Sequence, residues 1–317
     1  METHFLTFPL GDDAAPAGPC VLALGVFDGV HLGHNAVIGR AISIAQQKAL
    51  PAAVLTFVEH PRTVLRPDQP VPLLSTWREK RDQIFDLGVD RVIGAHFTPS
   101  LAQMEAEAFV RNVLLGHLSA AHVVVGFNFR FGHNAAGGPA LISAMADDLG
   151  FGFDVVAPFE LAGTAVSSSE IRRLLATGDL PGANRLLGQA YALTGLVVGG
   201  DQRGRRIGFP TANLHVNERK LLPAFGVYAG FASWAGERHS CVVNIGIRPT
   251  FDPPQLKVEA HLLDYSGDLY GQTLAVSLLC RLRAEMAFSS VDALVKQIHD
   301  DVGQAREMLL ASEAPGK

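Results

Sequence analysis

The apolar segments of this chain change their spacing near residue 188, and this change limits the 317 residues to two differently built halves. Before it, short apolar runs at 20–24 and 52–58 alternate with longer segments of helical period, the first of them at 34–50. Strands and helices that alternate at this interval are typical of a doubly wound, Rossmann-like parallel sheet. We therefore predict an α/β domain over residues 1–188.

The second half, residues 189–317, follows a different pattern. Short β-rich runs, separated by glycine, proline and aspartate turns, follow one another at 193–198, 226–233, 239–245, 257–263 and 273–282. No segment of helical period is recognised between them, which predicts an antiparallel barrel or sandwich. From Val291 to Leu309 the apolar residues again fall on one stripe, so we expect a C-terminal helix.

Composition narrows the classes of partner. The 26 basic and 31 acidic residues give a net charge of −5 without a basic block, so nucleic acid is not expected. No apolar run approaches the ~18 residues of a membrane span, so no membrane partner is expected either. Three cysteines without C-x-x-C spacing fit a reducing cytoplasm and argue against a disulfide framework. No sequence feature specifies an oligomeric state.

The first polar cluster lies between the first strand and the first helix. It reads Gly-Val-Phe-Asp-Gly-Val-His-Leu-Gly-His over residues 25–34. Its glycines allow the backbone to approach a ligand, and His31 and His34 share one face near the helix start, where both can donate to phosphate oxygens. The alternatives are a tight turn with two satisfied histidines, or a zinc site with ligands from elsewhere. A dinucleotide fingerprint is excluded because the G-x-G-x-x-G register is absent.

These residues resemble the FMN adenylyltransferase branch of the nucleotidyltransferases, the N-terminal half of the bifunctional riboflavin kinase/FAD synthetases. Two later segments agree: 125–132 resembles the central glycine-and-aromatic loop, and 166–172 resembles a Ser-Ser-Thr-x-x-Arg element. The resemblance implies catalytic roles for His31 and His34. It also implies nucleotide contacts from Gly25, Phe27, Asp28, Gly29, Gly33, Asn128, Ser168, Ser169 and Arg172.

The chain departs from that family pattern in the central loop. Many relatives carry Asp where this chain has Asn128, and Arg and Asp where it has Ala135 and Gly138. The serines at 167–169 have a simpler alternative, since such a cluster also caps ordinary helices.

A second polar cluster occupies residues 199–213, Gly-Gly-Asp-Gln-Arg-Gly-Arg-Arg-Ile-Gly-Phe-Pro-Thr-Ala-Asn. A Walker A loop is excluded, because Arg205 and Arg206 stand where Lys and Ser/Thr are required. Glycines, arginines and a Thr-x-Asn pair nevertheless suit phosphate with a hard cation, whose ligands are oxygens. The alternative is a basic surface hairpin.

This cluster resembles the riboflavin kinase domain, and further matches follow in order at 223–228, 244–251, 258–264, 267–271 and 283–288. The resemblance implies that Thr211 and Asn213 hold Mg²⁺ with ATP and that Glu259 is the catalytic base. Glu259 alternates with apolar neighbours on a strand, so without the family it could be a solvated outer residue. The remaining implied contacts are Gly200, Gly204, Gly208, Phe209 and Pro210 to the nucleotide, and Arg283 and Phe288 to the flavin.

Together these patterns predict a cytoplasmic enzyme that acts twice on small molecules. ATP would phosphorylate riboflavin to FMN in the second domain and adenylylate FMN to FAD in the first, with flavins as substrates rather than cofactors. Two alternatives stay open: transfer of AMP or CMP to another phosphorylated acceptor, and a regulator that binds flavin nucleotides without turnover.

Overall fold

The computed structural model describes residues 1–11, 18–200, 203–248 and 255–313. The chain divides into a first unit, Met1–Ser168, and a second, Ser169–Lys317. The domain boundary at residue 188 stays a prediction.

The first unit is built on a parallel six-stranded sheet in the order β1–β4–β3–β2–β5–β6. Its strands are β1 (Glu2–Leu6), β2 (Cys20–Leu24), β3 (Ala52–Phe57), β4 (Arg91–Ala95), β5 (Ala120–Gly126) and β6 (Gly152–Val156). The chain moves from β2 to β3 and β4 on one side and reaches β5 and β6 on the other. The order of strands therefore reverses between β2 and β5, where ligands bind in open sheets of this kind. The predicted doubly wound sheet is confirmed.

Helices connect these strands. They are α1 (Leu32–Lys48), α2 (Pro61–Leu65), α3 (Trp77–Asp86), α4 (Pro99–Ala102), α5 (Ala106–Ala108), a π-helix (Phe109–His117), a 3₁₀ turn (His133–Ala135) and α6 (Pro139–Leu149). A capping box begins α3, because the Thr76 amide donates to Glu79 Oε2 at 2.8 Å and the Glu79 amide donates to Thr76 Oγ1 at 3.3 Å.

The central strand β2 is buried on both faces, which explains its uninterrupted apolar sequence. Leu22 and Leu24 belong to one hydrophobic cluster, whereas Val21 and Ala23 belong to the other. The edge strand β1 was not predicted. Among the described residues it pairs only with β4, so polar residues are tolerated and its sequence, Glu-Thr-His-Phe-Leu, lacks an apolar run. A short hairpin of two strands with two residues each, β7 (Glu160–Leu161) and β8 (Thr164–Ala165), follows the sheet.

The second unit contains a closed antiparallel barrel in the order β10–β13–β12–β11–β14–β9, which decides between the barrel and the sandwich. Its strands are β9 (Tyr191–Val198), β10 (Ala212–Val216), β11 (Gly226–Trp234), β12 (Glu237–Arg248), β13 (Gln255–Leu262) and β14 (Thr273–Ala284). A single turn, α9 (Arg203–Arg206), precedes β10. The predicted C-terminal helix is α10 (Val291–Glu313), whose Ala305 and Leu309 pack in one cluster with Val227 of β11 and Val242 of β12.

Two helices precede the barrel, α7 (Ser168–Thr177) and α8 (Leu180–Leu187). The sequence Thr177–Gly182 contains the turn that separates these two helices. Gly178 has φ +83°, and the Asp179 carboxylate then caps α8 by accepting from the Gly182 amide at 2.9 Å. Pro181 stands in the first turn of α8, where proline costs no hydrogen bond.

Candidate active sites

The turn between β2 and α1 has a constrained backbone. Phe27 and Val30 adopt positive φ angles of 49° and 39°, which non-glycine residues rarely do, and Gly29 adopts φ 87°. The Phe27 ring is buried beside Gly25, where a Cβ would lie 2.6 Å from the ring. A side chain at residue 25 would therefore displace Phe27 and the turn that it anchors.

Asp28 ties this turn to the chain segment before α3. Its buried carboxylate accepts from the amides of Leu74 and Ser75 at 3.0 and 2.9 Å, and the Gly29 amide donates to Ser75 Oγ at 2.9 Å. Ser168 donates its hydroxyl to the Asp28 carbonyl at 2.9 Å. Asp28 and Gly29 thus shape the turn through their contacts with the segment at 74–75.

His31 and His34 lie together at the start of α1. Their rings stack with centroids 3.5 Å apart and 17° between planes, and the Phe27 ring packs edge-on against His34 at 5.2 Å. His31 caps the helix, because its Nδ1 accepts from the His34 amide at 3.3 Å. An accepting Nδ1 leaves the proton on Nε2, so the His31 ring donates through Nε2. A Cβ at Gly33 would stand 3.2 Å from the His31 ring, so the glycine permits this close packing.

The loop after β5 lies beside this turn, because Leu24 of β2 pairs with Val125 of β5. Asn128 is exposed in the turn that Phe129 closes by donating its amide to the Gly126 carbonyl at 3.0 Å. The two strand ends that carry Gly25 and Asn128 are therefore neighbours. Ser168 begins α7, and Ser169 and Arg172 follow it on that helix.

The glycine at 138 has a local explanation. A Cβ there would collide with the Arg130 guanidinium, which occupies the space next to residue 138. A larger residue at 138 would have to displace this arginine. Nothing in the structure explains Ala135.

In the second unit, the barrel aligns polar residues that are far apart in the chain. Asn213 of β10 pairs directly with Glu259 of β13, and Glu259 pairs on its other side with Asn244 of β12. The same row continues from Asn244 to Val227 of β11 and from Val227 to Arg283 of β14. Directly paired residues point to the same side of a sheet, so this row presents one face.

A cavity of about 330 Å³ opens on that face, within the range of small-molecule sites. Of the predicted site residues, it is lined by Gly204, Phe209, Thr211, Glu259, Arg283 and Phe288. Gly200, Gly208, Pro210 and Asn213, which the structure also describes, are not in this lining. The structure therefore brings together residues predicted to contact the nucleotide, the metal and the flavin.

The glycine loop closes against the start of β10. The Phe209 amide donates to the Gly204 carbonyl at 2.8 Å, and a Cβ at Gly204 would collide with the Phe209 carbonyl. A Cβ at Gly200 would collide with the Asn213 amide group, so this glycine and Asn213 are in contact. Gly208 adopts φ +90°, which favours glycine.

Five polar residues of the cavity were not predicted as site residues: Asn244, Lys257, His261, Glu285 and Asp301. Lys257 makes an ion pair with Glu259. His261 Nδ1 lies 2.7 Å from the Pro210 carbonyl, which can only accept, so Nδ1 carries the proton and His261 holds the loop before β10. The alternation of Lys257, Glu259 and His261 on β13 was the available signal, since every second residue of a strand shares a face.

Arg283 is engaged with α10. Its Nε donates to Asp301 Oδ1 at 2.9 Å and its Nη2 donates to Asp301 Oδ2 at 2.8 Å, while the guanidinium carbon lies 5.7 Å from the Phe288 ring centroid. Gln297 donates to the same buried carboxylate at 2.9 Å. Arg283 thus fastens α10 to β14 at the cavity wall. Parts of two matching motifs, residues 201–202 and 249–251, lie outside the described residues.

Comparisons with known proteins agree with this arrangement. The FAD synthetase family model matches residues 13–170, and the riboflavin kinase model matches residues 187–309. A bifunctional riboflavin kinase/FMN adenylyltransferase of Listeria monocytogenes is 39% identical over 96% of this chain and 98% of its own length. The Bacillus subtilis protein of the same name is 38% identical over 96% of this chain and 97% of its own length.

The chain belongs to the bifunctional riboflavin kinase/FMN adenylyltransferase family. The family relationship extends through both units, as the Escherichia coli member also shows at 37% identity over 92% of this chain and 94% of its own length.

A solved structure from Streptococcus pneumoniae shares the fold over nearly the whole chain, with a TM-score of 0.86 and 30% identity over 95% of this chain and 98% of the other. The protein in that structure is described as a macrolide-efflux protein. In the part of this chain that the structure describes, no helix is long and apolar enough to cross a membrane.

Proposed function

We infer that the chain catalyses two consecutive reactions, the phosphorylation of riboflavin to FMN and the adenylylation of FMN to FAD, each with ATP. The barrel performs the first reaction and the first unit performs the second. The observation that carries this proposal is the row of paired residues Asn213, Glu259 and Asn244. The row places the proposed Mg²⁺ ligand Asn213 next to the proposed general base Glu259, beside a cavity of ligand size.

In the kinase reaction, Glu259 acts as the general base. It takes the proton of the ribityl 5′-hydroxyl while that oxygen bonds to the γ-phosphorus of ATP and the bond to ADP breaks. A neutral alcohol is a weak nucleophile, so a carboxylate within hydrogen-bond reach accelerates its attack. Arg283 and Phe288 form part of the wall against which the flavin binds.

The residues at the start of β10 fit a hard cation. Thr211 and Asn213 supply a hydroxyl and an amide oxygen two residues apart, and the glycines at 200 and 204 permit the close packing of the chain around them. Thr211 and Asn213 would hold Mg²⁺ with the ATP phosphates, where it neutralises their charge. Gly200, Gly204, Gly208, Phe209 and Pro210 form the loop that positions the nucleotide.

Adenylyl transfer needs no base, because the FMN phosphate is already anionic at neutral pH. Its oxygen bonds to the α-phosphorus of ATP while the bond to pyrophosphate breaks. The protein must align two anions and stabilise the charge of the leaving group. His31 and His34, with Ser169 and Arg172, are the donors for this task. Ser168 holds the turn through the Asp28 carbonyl, and Gly25, Phe27, Asp28, Gly29, Gly33 and Asn128 shape the nucleotide site.

A direct assay tests the proposal. The full chain is incubated with riboflavin, ATP and Mg²⁺, and separately with FMN, ATP and Mg²⁺, and the flavins are separated by chromatography. The first mixture should yield FMN and FAD and the second FAD with pyrophosphate. Tight flavin binding without turnover would instead identify a regulator, and unchanged FMN in the second mixture would point to another phosphorylated acceptor. We place the enzyme in the cytoplasm, in keeping with its free thiols.

A further inference from the structure

A buried lysine lies beneath the turn between β2 and α1, and neither proposed reaction uses it. Lys80 of α3 is only 6% exposed. Its ammonium donates to the Phe57 carbonyl at 2.6 Å and to the Val26 carbonyl at 3.1 Å. Phe57 ends β3, and Val26 follows the end of the neighbouring strand β2. One charged group therefore joins the carboxyl ends of two central strands.

The same turn is held by α3 and the segment before it at further points. The Asp28 carboxylate accepts from the Leu74 and Ser75 amides, directly before the Thr76 cap of α3. The Val26 carbonyl accepts from Thr56 Oγ1 at 2.9 Å in addition to Lys80. The backbone that leads to His31 is thus fixed from α3 and β3 as well as from α1.

Burial of the Lys80 ammonium costs folding free energy, which the groups around it offset. Burial lowers its pKa to about 8, against the attraction of Asp28 in the turn and of Glu59 beyond β3. Glu59 is itself bound to His96, whose Nδ1 lies 2.9 Å from its carboxylate, and the Trp77 ring centroid lies 5.8 Å from the Lys80 ammonium. A buried charge disfavours folding unless it is compensated, and such groups cluster at functional sites.

We propose that Lys80 is a positioning residue for adenylyl transfer, which fixes the backbone before His31 and His34 through its hydrogen bonds to Val26 and Phe57. The inference rests on the assignment of adenylyl transfer to this turn. Loss of the Lys80 proton weakens both hydrogen bonds, since charge-assisted bonds are the stronger ones, and it also removes the attraction to Asp28 and Glu59. Adenylyl transfer should therefore decline on the alkaline side, whereas FMN formation should not share that decline.

The first test compares the wild-type chain with Lys80→Met, Lys80→Arg and the exposed control Lys48→Met, assaying both reactions separately from about pH 6.5 to about 9.5. Lys80→Met should lower kcat for FAD formation from FMN about 10²-fold, because small displacements of aligned groups are costly. Its circular dichroism and thermal unfolding should show that the first unit is still folded, since FMN formation reports only on the barrel. The wild type should lose activity with a midpoint near pH 8. Lys80→Arg, which keeps its charge, should restore most of kcat and remove this alkaline decline.

A second test needs no turnover. The chain has two tryptophans, so Trp234→Phe leaves Trp77, beside Lys80, as the single reporter. Its fluorescence should titrate near pH 8, and adding Lys80→Arg should abolish that transition. If the wild type makes FAD and Lys80→Met keeps its kcat within twofold, the role of Lys80 is overturned and the proposed function is not. The same holds if the decline near pH 8 persists in Lys80→Arg. A wild type that makes no FAD would overturn the proposed function as well.

Discussion

Lys257 contacts the Glu259 carboxylate from two positions earlier on the same face of β13. Both side chains line the cavity and are mostly buried, with 23% and 19% of their surface exposed. The ammonium therefore offsets the charge of the proposed base beside the site assigned to a polyanionic nucleotide. Coulomb interactions at such partly buried positions are stronger than in bulk water.

Replacing Lys257 with Met should weaken ATP binding in the kinase reaction. The Glu259 charge would then repel the triphosphate without compensation, and we expect the KM for ATP to rise about three- to tenfold, as loss of about 1 kcal/mol implies. Lys257→Arg should retain most of the wild-type value. Steady-state kinetics of FMN formation measure the effect, and an unchanged KM in Lys257→Met would show that the pair has no influence on the nucleotide.

Glu259→Gln should abolish FMN formation and leave conversion of supplied FMN to FAD nearly intact. General bases contribute about 10²–10⁴-fold to rate, and glutamine keeps the shape of the side chain without its basicity. The exposed Glu307→Gln on α10 is the matched control and should retain both reactions. If both activities fall together in Glu259→Gln while the fold is preserved, the division of reactions between the units is wrong.

Two substitutions separate the capping role of His31 from its proposed chemistry. Asparagine at residue 31 still caps α1 by accepting from the His34 amide, whereas alanine does not. We expect both His31→Asn and His31→Ala to lower FAD synthesis about 10²–10³-fold, because each lacks the ring donor. Product analysis with FMN as substrate measures this loss, and full activity in His31→Asn would leave His31 with a capping role only.

The acid stability of the first unit should depend on Asp154. Burial raises the pKa of its carboxyl, but hydrogen bonds from Arg40 and His122 outweigh burial, so the pKa lies below the ordinary 3.8. The unfolded chain then binds the Asp154 proton at higher pH than the folded chain. The ionised carboxylate therefore stabilises the folded state above about pH 4, and this stabilisation is lost below it. The difference in melting temperature between wild type and Asp154→Asn should therefore shrink from pH 6 to pH 3, unlike that for the exposed Asp148→Asn.

Two of the three thiols should resist alkylation in the folded protein. Burial raises the pKa of Cys20 to about 11 and that of Cys241 to about 12, so almost no reactive thiolate exists at neutral pH. Burial also raises the pKa of Cys280, but this side chain is only partly buried and should react first. Mass spectrometry after iodoacetamide treatment, with a denatured sample as control, should find Cys280 as the first modified residue. Early modification of Cys20 or Cys241 would contradict their burial.

The class of each half follows from the amino-acid sequence, because apolar periodicity reflects which faces of an element are buried. The apolar run at 20–24 is the strand β2, which is buried on both faces, and the spacing of Thr76 and Glu79 is that of the capping box that begins α3. Local patterns did not predict strands that are short or only partly buried. The polar edge strand β1 and the five-residue strand β10 both depend on pairing partners far along the chain.

Which distant residues meet depends on the packing and strand pairing of the folded chain. Asn213, Glu259 and Asn244 share a row because the closed barrel sets the register of β10, β13 and β12, and no local pattern specifies that register. In the sequence, Lys80 is like any lysine on the polar face of an amphipathic helix. In the folded unit, the carbonyls of Val26 and Phe57, at two strand ends, accept from its ammonium. Its burial depends on how α3 packs against the sheet, which is a property of the folded unit rather than of the segment.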